Sequence, residues 1–169
     1  MTKSMVNETE RMVVTRVFDA PRELVWKAWT DPKYVKQWWG PNRCTSPFCE
    51  MDFREGGKFL ICGRMSDGQE FWNGGEYHEI VLHEKIVSSM YFCDSKGNKI
   101  DPAQIGIEHE AIEGAYDVIT FEDLGNGQTK LTFIGNETMQ NALESGQLEG
   151  MEQLLDKVAA VVEGLAHAK

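Results

Sequence analysis

The C-terminal stretch Ser145–Lys169 constrains the fold more than any other part of the sequence. Its apolar residues recur at spacings of three and four positions, in a stripe formed by Leu148, Met151, Leu154, Leu155, Val158, Val161, Val162 and Leu165. That period predicts a helix with one broad apolar face. At 1.5 Å per residue, about twenty residues make a rod of roughly 30 Å. A rod of that length needs a large apolar partner surface.

Most of the remaining sequence has the alternating pattern of β-strands separated by turns. One strand precedes two short helices, and six strands follow them. The predicted strands are Glu10–Phe18, Cys49–Arg54, Phe59–Met65, Gln69–Val81, Ile86–Cys93, Ile112–Glu122 and Gln128–Gly135. Short turns join most of the later strands, so an antiparallel meander is the simplest topology. The predicted fold class is α+β, with a seven-stranded antiparallel sheet curved around the long C-terminal helix.

Local signals predict how the elements begin, bend and end. Asp31 is expected to cap the second short helix, with Pro32 in its first position. Gly74–Gly75 interrupts the longest strand and predicts a kink or a bulge that would curve the sheet. Residues Asp94–Glu110 are polar and predict a longer loop. Trp26, at the edge of the first helix, is a candidate for a dimer contact.

Length and charge limit the class of protein. The chain has 169 residues, which suits one domain. Residues 1–8 are predicted to be a flexible tail, and residues 9–169 a single domain. A net charge of −10 argues against a nucleic-acid partner. No apolar run reaches the roughly 18 residues of a membrane span. A monomer or a homodimer is compatible with these features.

Motifs for covalent, metal or phosphoryl chemistry are missing from the sequence. The four cysteines form no C-x-x-C pair, and His78 and His83 are five positions apart without a carboxylate at ligand spacing. There is no G-x-S-x-G, P-loop or G-x-G-x-x-G motif. No signal peptide is recognisable at the start. We therefore expect no metal and no cofactor, and a cytoplasmic protein with reduced thiols.

Six segments resemble one known family in the same order along the chain. The sequence resembles the START/Bet v 1-like (SRPBCC) superfamily, and within it the activator of Hsp90 ATPase homologue 1-like (AHSA1-like) branch. The segments are Arg16–Pro32, Trp38–Pro41, Asp52–Phe59 (D-x-R-x-G-G-x-F), Gly75–Ile80 (G-x-Y-x-E-I), Thr129–Thr132 (T-x-L-T) and Gly150–Leu155. The resemblance implies a helix-grip fold, in which the sheet encloses an apolar cavity against the C-terminal helix.

The chain departs from the family pattern at two places. Met151 stands where tryptophan is usual, and a flexible thioether there is expected to enlarge or soften that end of the cavity. The polar stretch Asp94–Glu110 is expected to alter the shape of one cavity entrance. Both departures concern the cavity and leave the expected fold unchanged.

Apolar and aromatic residues on the strands and the last helix are the candidate ligand-binding residues, because rings provide contact area at low rotamer entropy. The same residues could instead fill a solid core. The candidates are Trp38, Trp39, Met51, Phe59, Ile61, Met65, Trp72, Tyr77, Tyr91, Asp117, Ile119, Phe121, Phe133, Met151 and Leu155.

Asp117 is the candidate with the most distinctive chemistry. It shares strand parity with Ile119 and Phe121, so its carboxylate is predicted to face inward. Burial would raise its pKa and allow it to bind a polar group or act as a base. Alternatively, it lies at a solvated strand end or pairs with a cation. The hydroxyls of Tyr77 and Tyr116 are further possible donors.

The leading functional hypothesis is that the protein binds a small hydrophobic or amphipathic molecule between the sheet and the C-terminal helix, without catalysis. The first alternative is a cyclase- or aromatase-like enzyme acting on a polyketide-type substrate, as the superfamily resemblance implies. The second is a co-chaperone-like protein-interaction domain. Fold alone does not choose among them, because function resides in the site.

Overall fold

A computed structural model describes residues 11–106, 112 and 114–167 of the protein. The tail predicted for residues 1–8 lies outside this part, as does Glu113 of the strand predicted from Ile112, and that strand begins only at Asp117. The strands are β1 (Arg11–Phe18), β2 (Cys44–Met51), β3 (Lys58–Met65), β4 (Glu70–Val81), β5 (Lys85–Cys93), β6 (Asp117–Gly125) and β7 (Gln128–Thr138). The helices are α1 (Arg22–Thr30), α2 (Pro32–Trp38), α3 (Met139–Ser145) and α4 (Gln147–His167), and a 3₁₀ turn spans Pro102–Ile105.

The strands form one antiparallel sheet in the order β1-β7-β6-β5-β4-β3-β2. Strands β2 to β7 follow one another as a meander, and β1 closes the arrangement by pairing with β7. The predicted α+β helix-grip architecture is confirmed, with seven strands curled around α4 and two short helices between β1 and β2. Sequence-adjacent strands pair because their connections are short.

The two short helices are separated at Asp31, as the sequence predicts. The Asp31 carboxylate accepts a hydrogen bond from the Lys33 backbone N–H at 3.0 Å, and Pro32 occupies the first turn of α2. Proline has no N–H to leave unpaired at that position. Behind them, the Trp38 indole N–H donates to the Ala28 carbonyl oxygen at 2.9 Å, which joins α2 to α1.

Helix α4 places its apolar stripe against the sheet and the short helices. Leu155, Val158 and Val162 are fully buried, and each such side chain contributes about 1.5–3 kcal/mol through burial. Its outer edge is tied to β1 by an exposed ion pair, Arg16 Nη1 to Asp156 Oδ1 at 2.8 Å. The helix has 21 residues, so it spans about 30 Å.

Two sequence predictions about the scaffold are wrong. The register of β4 is continuous through Gly74 and Gly75, and the irregularity with β5 falls between Tyr77 and Glu79. Trp26 is not a surface residue that could form a dimer contact. It is only 6% exposed, and its ring packs edge-on against Phe121 with centroids 5.1 Å apart, so it belongs to the core.

Candidate functional site

A cavity of about 950 Å³ lies between the concave face of the sheet and α4. All seven strands contribute residues to its floor, and the loop after α2 and the first turns of α4 form the opposite wall. Four of its lining residues are exposed: Gln69, Gly106, Gly146 and Glu149. They lie at the β3–β4 turn, after the 3₁₀ turn and at the start of α4. These residues mark where the cavity meets solvent.

Eleven of the fifteen candidate residues predicted from the sequence line this cavity. They come from α2, five strands and α4, and they are mostly apolar. They are Trp38, Trp39, Met51, Phe59, Ile61, Met65, Tyr77, Asp117, Ile119, Phe133 and Met151. Met151 is half-buried at the start of α4, which agrees with the predicted register of that helix. Whether these residues bind a ligand stays a prediction.

Two of the other four candidates lie on the convex face. Alternate residues of a strand point to opposite faces, and the cavity is lined by Phe71 and Asn73 of β4 and by Met90 of β5. Trp72 and Tyr91 therefore point away from it. The Trp72 ring packs on Phe48 with centroids 5.7 Å apart, and the Lys99 ammonium lies 5.3 Å from the Tyr91 ring centroid.

The last two candidates are core residues rather than cavity residues. Phe121 is 2% exposed and contacts the rings of Trp26 and Trp29 under α1. Leu155 is fully buried one helical turn below Met151. Tyr116, considered above as a hydroxyl donor, is 44% exposed and stacks on His78 at 4.1 Å, so it faces solvent. A helix or strand pattern gives the buried face, but it does not separate solid core from cavity wall.

Two aromatic–glycine pairs shape the floor of the cavity. Phe59 is paired with Gly75, and Phe71 with Gly63, across the β3–β4 ladder. A Cβ placed on Gly63 would lie 2.8 Å from ring atoms of Phe71, and one on Gly75 would lie 2.6 Å from Phe59 Cε2. Each ring therefore lies over the glycine of the neighbouring strand. Rings held close to the sheet in this way leave space between the sheet and α4.

Methionine side chains make part of the cavity wall adaptable. Met12, Met51, Met65, Met90 and Met151 all line it, which is five of the eight methionines in the chain. Unbranched thioethers can repack around ligands of different shape. Sequence reasoning missed Met12 and Met90, although both share strand parity with other inward residues.

Three polar side chains form a row across the floor, here called the polar row. Tyr77, Ser88 and Asp117 occupy directly opposed positions on β4, β5 and β6. They are 6%, 8% and 4% exposed, and all three line the cavity. Asp117 is therefore not at a solvated strand end. Burial raises the pKa of the Tyr77 hydroxyl well above its ordinary value, with a further contribution from Cys49.

Other buried polar residues also line the cavity. Asn73 is 4% exposed and Glu137 is 2% exposed. Neither was predicted, although Glu137 continues the alternation of Leu131 and Phe133 along β7. A polar residue at a strand position where the alternation predicts an apolar one is the sequence signal that would have revealed Glu137. Such groups are typical of sites that orient a ligand within an otherwise apolar cavity.

Helix α4 also fixes the loop that follows α2. The Lys157 ammonium donates to the carbonyl oxygens of Trp39, Pro41 and Cys44 at 3.5, 3.2 and 3.4 Å. The Gln153 side-chain oxygen accepts from the Asn42 backbone N–H at 2.9 Å. Desolvation lowers the pKa of Lys157. Because Trp39 and Pro41 line the cavity, these contacts set the position of one wall.

All four cysteines are free, and burial disfavours the thiolate form of each. Burial raises the pKa of Cys49 to about 12 and of Cys62 and Cys93 to about 11, which favours the unreactive thiol.

Among residues 11–106, 112 and 114–167, no group of three or more His, Cys, Asp and Glu side chains is placed to hold a metal ion. In the same part of the chain, no helix is long and apolar enough to cross a membrane.

A curled antiparallel sheet that grips a C-terminal helix around a large cavity defines the START/Bet v 1-like class of domain. The chain belongs to the family described as activator of Hsp90 ATPase homolog 1-like protein, whose sequence model matches residues 19–163. The predicted resemblance is thereby confirmed. The fold of this family supports a ligand-binding domain in general terms. No curated protein matches the chain by sequence.

Solved structures with the same fold come from several bacteria. A protein from Arthrobacter aurescens is 26% identical with a TM-score of 0.72, over 92% of this chain and 87% of that one. A protein from Mycobacterium smegmatis is 22% identical with a TM-score of 0.73, over 92% of both chains. The AHSA1 protein from Silicibacter pomeroyi is 19% identical with a TM-score of 0.66, over 89% of this chain and 95% of that one. The latter two similarities concern the fold alone.

Proposed function

We propose that the protein binds a small, largely apolar molecule with at least one polar group in the cavity between the sheet and α4. The observation that carries this proposal is the cavity of about 950 Å³, which lies at the upper end of the range typical of small-molecule sites. A solid core would have argued against it. The lining combines aromatic rings, methionines and a few buried polar groups.

The composition of the wall supports an apolar ligand of variable shape. Trp38, Trp39 and Phe133 provide rigid surface, and the five methionines provide adaptable surface. The start of α4 and the loop after α2 lie beside the mouth. The Lys157 contacts hold that loop, so the wall is formed before a ligand enters, which reduces the ordering cost of binding.

Binding can be tested with Nile red, a neutral dye whose fluorescence rises in apolar surroundings, and with native mass spectrometry of protein purified from its own host. We expect saturable one-to-one dye binding. Met151→Trp, which fills the cavity near its mouth, should weaken binding about tenfold. Glu152→Trp places the same ring on the exposed neighbouring position of α4 and is the matched control. Equal binding by the two variants would contradict the proposal.

A cyclase-like activity is the second candidate, and one observation favours it. General acid–base chemistry needs at least two polar side chains at the reacting group, and Ser88 and Asp117 occupy neighbouring positions on the cavity floor. The two functions differ in the fate of the bound molecule. A binding protein returns it unchanged after denaturation, whereas a cyclase that dehydrates its substrate returns a product lighter by one water, as measured by mass spectrometry.

Family membership also suggests protein binding, as in the co-chaperone hypothesis. Among the described residues, the two most exposed large apolar side chains are Leu82 and Leu143, at 67% and 62%. They lie on separate elements, the turn between β4 and β5 and helix α3. They therefore give less support to an interaction surface than the cavity gives to a small ligand.

A further inference from the structure

The polar row is buried, unlike the mouth of the cavity. Tyr77, Ser88 and Asp117 are at most 8% exposed, whereas lining residues at the mouth, such as Gln69 and Glu149, are exposed. Opposed positions on neighbouring antiparallel strands are about 5 Å apart, so the three side chains start side by side. The row is flanked by the buried apolar residues Ile86 and Ile119. It therefore offers hydrogen bonds on a buried part of a largely apolar cavity wall.

The Ser88 hydroxyl is available to a ligand. Its side chain is more than nine-tenths buried and lines the cavity, and it has no hydrogen-bond partner within the described part of the chain. A serine hydroxyl can donate one hydrogen bond and accept two. Its neighbour on β5, Ser89, faces the other side of the sheet and contacts the His78 ring nitrogen at 3.1 Å. A buried hydroxyl on the cavity wall favours a ligand group that can pair with it.

The Tyr77 hydroxyl adds a second neutral group. Its ring is packed between Phe53 and Phe59, with centroid separations of 4.9 and 5.2 Å. Because its pKa is raised by burial, Tyr77 keeps its proton over the physiological pH range. It remains a hydrogen-bond donor, and the packed ring fixes its position. The row thus presents two neutral hydroxyls on adjacent strands.

Charges along the described lining disfavour an anionic ligand group. The lining contains the acids Asp117, Glu137 and Glu149, and within residues 11–106, 112 and 114–167 it contains no lysine, arginine or histidine. A carboxylate in an apolar cavity needs a cation or several donors. Asp117 and Glu137 already have contacts of their own within the protein. Neutral groups are therefore left to select a ligand: the Ser88 and Tyr77 hydroxyls in the polar row, and elsewhere in the lining the Asn73 amide and the Trp39 indole N–H.

We propose that the ligand binds with a neutral hydrogen-bonding group, such as a hydroxyl or a carbonyl, on the polar row and with its apolar body toward the mouth. This inference rests on the proposed function of the cavity. It predicts that the site discriminates between ligands by the group that lies on the polar row. A site that pairs with a hydroxyl rejects an analogue that cannot reproduce the hydrogen bonds. Long-chain alcohols and ketones belong to the expected class, and fatty acids do not.

Displacement of Nile red by 1-decanol, decanoate and decylamine at pH 7 tests the proposal with one chain length and three head groups. We expect 1-decanol to displace the dye at a concentration about tenfold lower than decanoate or decylamine. If decanoate or decylamine matches or exceeds 1-decanol, the assignment of a neutral group is overturned and cavity binding stands. If the dye itself does not bind, the proposed function fails, which is a separate result.

Variants of β5 test the location of the head group. Ser88→Ala should weaken displacement by 1-decanol about tenfold, and Ser88→Thr, which keeps the hydroxyl, should restore most of it. Ser89→Ala, on the opposite face, is the matched control and should leave displacement unchanged. Tyr77→Phe removes only one hydroxyl and should also weaken it. Equal displacement in Ser88→Ala and Ser89→Ala would overturn the placement on the polar row.

Discussion

Gly75 is the position on the cavity floor where an added methyl group is tolerated least. A Cβ there would lie 2.6 Å from Phe59 Cε2, whereas ordinary contacts start at 3.4 Å, and it would come closer still to the Ser89 carbonyl oxygen. The ring could turn toward the cavity, but the carbonyl oxygen belongs to the β4–β5 ladder. Relief of the clash therefore requires the two strands to shift. We expect Gly75→Ala to lower the free energy of unfolding by about 3 kcal/mol, near the upper end for overpacking.

Gly74→Ala is the matched control, because it makes the same substitution one position earlier on the convex face. Its Cβ would approach Tyr91 Cε1 at 3.2 Å, Cys93 Sγ at 3.3 Å and a main-chain oxygen at 3.5 Å. Its two nearest contacts are therefore side-chain atoms, which can move. Alanine lowers the conformational entropy of the unfolded chain relative to glycine, which offsets part of the cost of crowding. We therefore expect the free energy of unfolding to change by no more than about 1 kcal/mol.

Urea unfolding followed by circular dichroism measures both variants, with the slope of the transition checked for constancy. For a domain of this size, 3 kcal/mol corresponds to a fall in Tm of roughly 6–12 °C. A Gly75→Ala protein within 1 kcal/mol of the original, or a Gly74→Ala protein that is equally destabilised, would refute the reasoning. Nile red binding by Gly75→Ala adds a second readout, because a displaced Phe59 ring would enter the cavity.

Three further predictions concern α4 and the buried thiols. Gly164→Ala lies in an exposed part of α4 with no atom within 4 Å of the new Cβ, so it should raise the free energy of unfolding by about 0.5–1 kcal/mol, seen as a higher Tm. Lys157→Met removes three hydrogen bonds to the loop after α2 and should cost about 1–2 kcal/mol in urea unfolding; an unchanged midpoint would show that the loop is held by other contacts. The pKa of Cys49 rises from 9.0 to about 12 on folding, so the native state keeps a proton that the unfolded state releases. The stability that this group contributes is fully present below pH 9 and is lost as the pH rises from 9 to 12. Urea midpoints measured between pH 8 and 11 should therefore decline less in Cys49→Ala than in the original protein.

Much of the fold follows from local patterns. The apolar stripe of the last helix, the capping pair Asp31–Pro32 and the alternation of the strands are properties of short segments, and each is found in the structure. The face of Asp117 was also predictable, since it shares parity with Ile119. These features depend on interactions between residues a few positions apart, which the sequence displays directly.

Other features depend on which strands become neighbours. Strands β4 and β5 carry aromatic residues on both faces, Phe71 and Phe92 on one and Trp72 and Tyr91 on the other. Composition alone therefore does not say which face of the two strands meets the helix. Likewise, the sequence pattern at Gly75 predicts a bulge, whereas in the structure the ring of Phe59 on the neighbouring strand lies over this glycine. Such assignments require the register between strands.

The last helix needs a partner surface, and its sequence determined this by itself, because its apolar stripe cannot remain in water. The sequence also determined that the partner is a sheet, through seven segments of strand pattern. Only the tertiary structure decided that the two surfaces enclose a cavity instead of a solid core. The physical reason is that a cavity is the space left between residues distant in the chain, such as Ser88 and Met151, and no local pattern specifies that space.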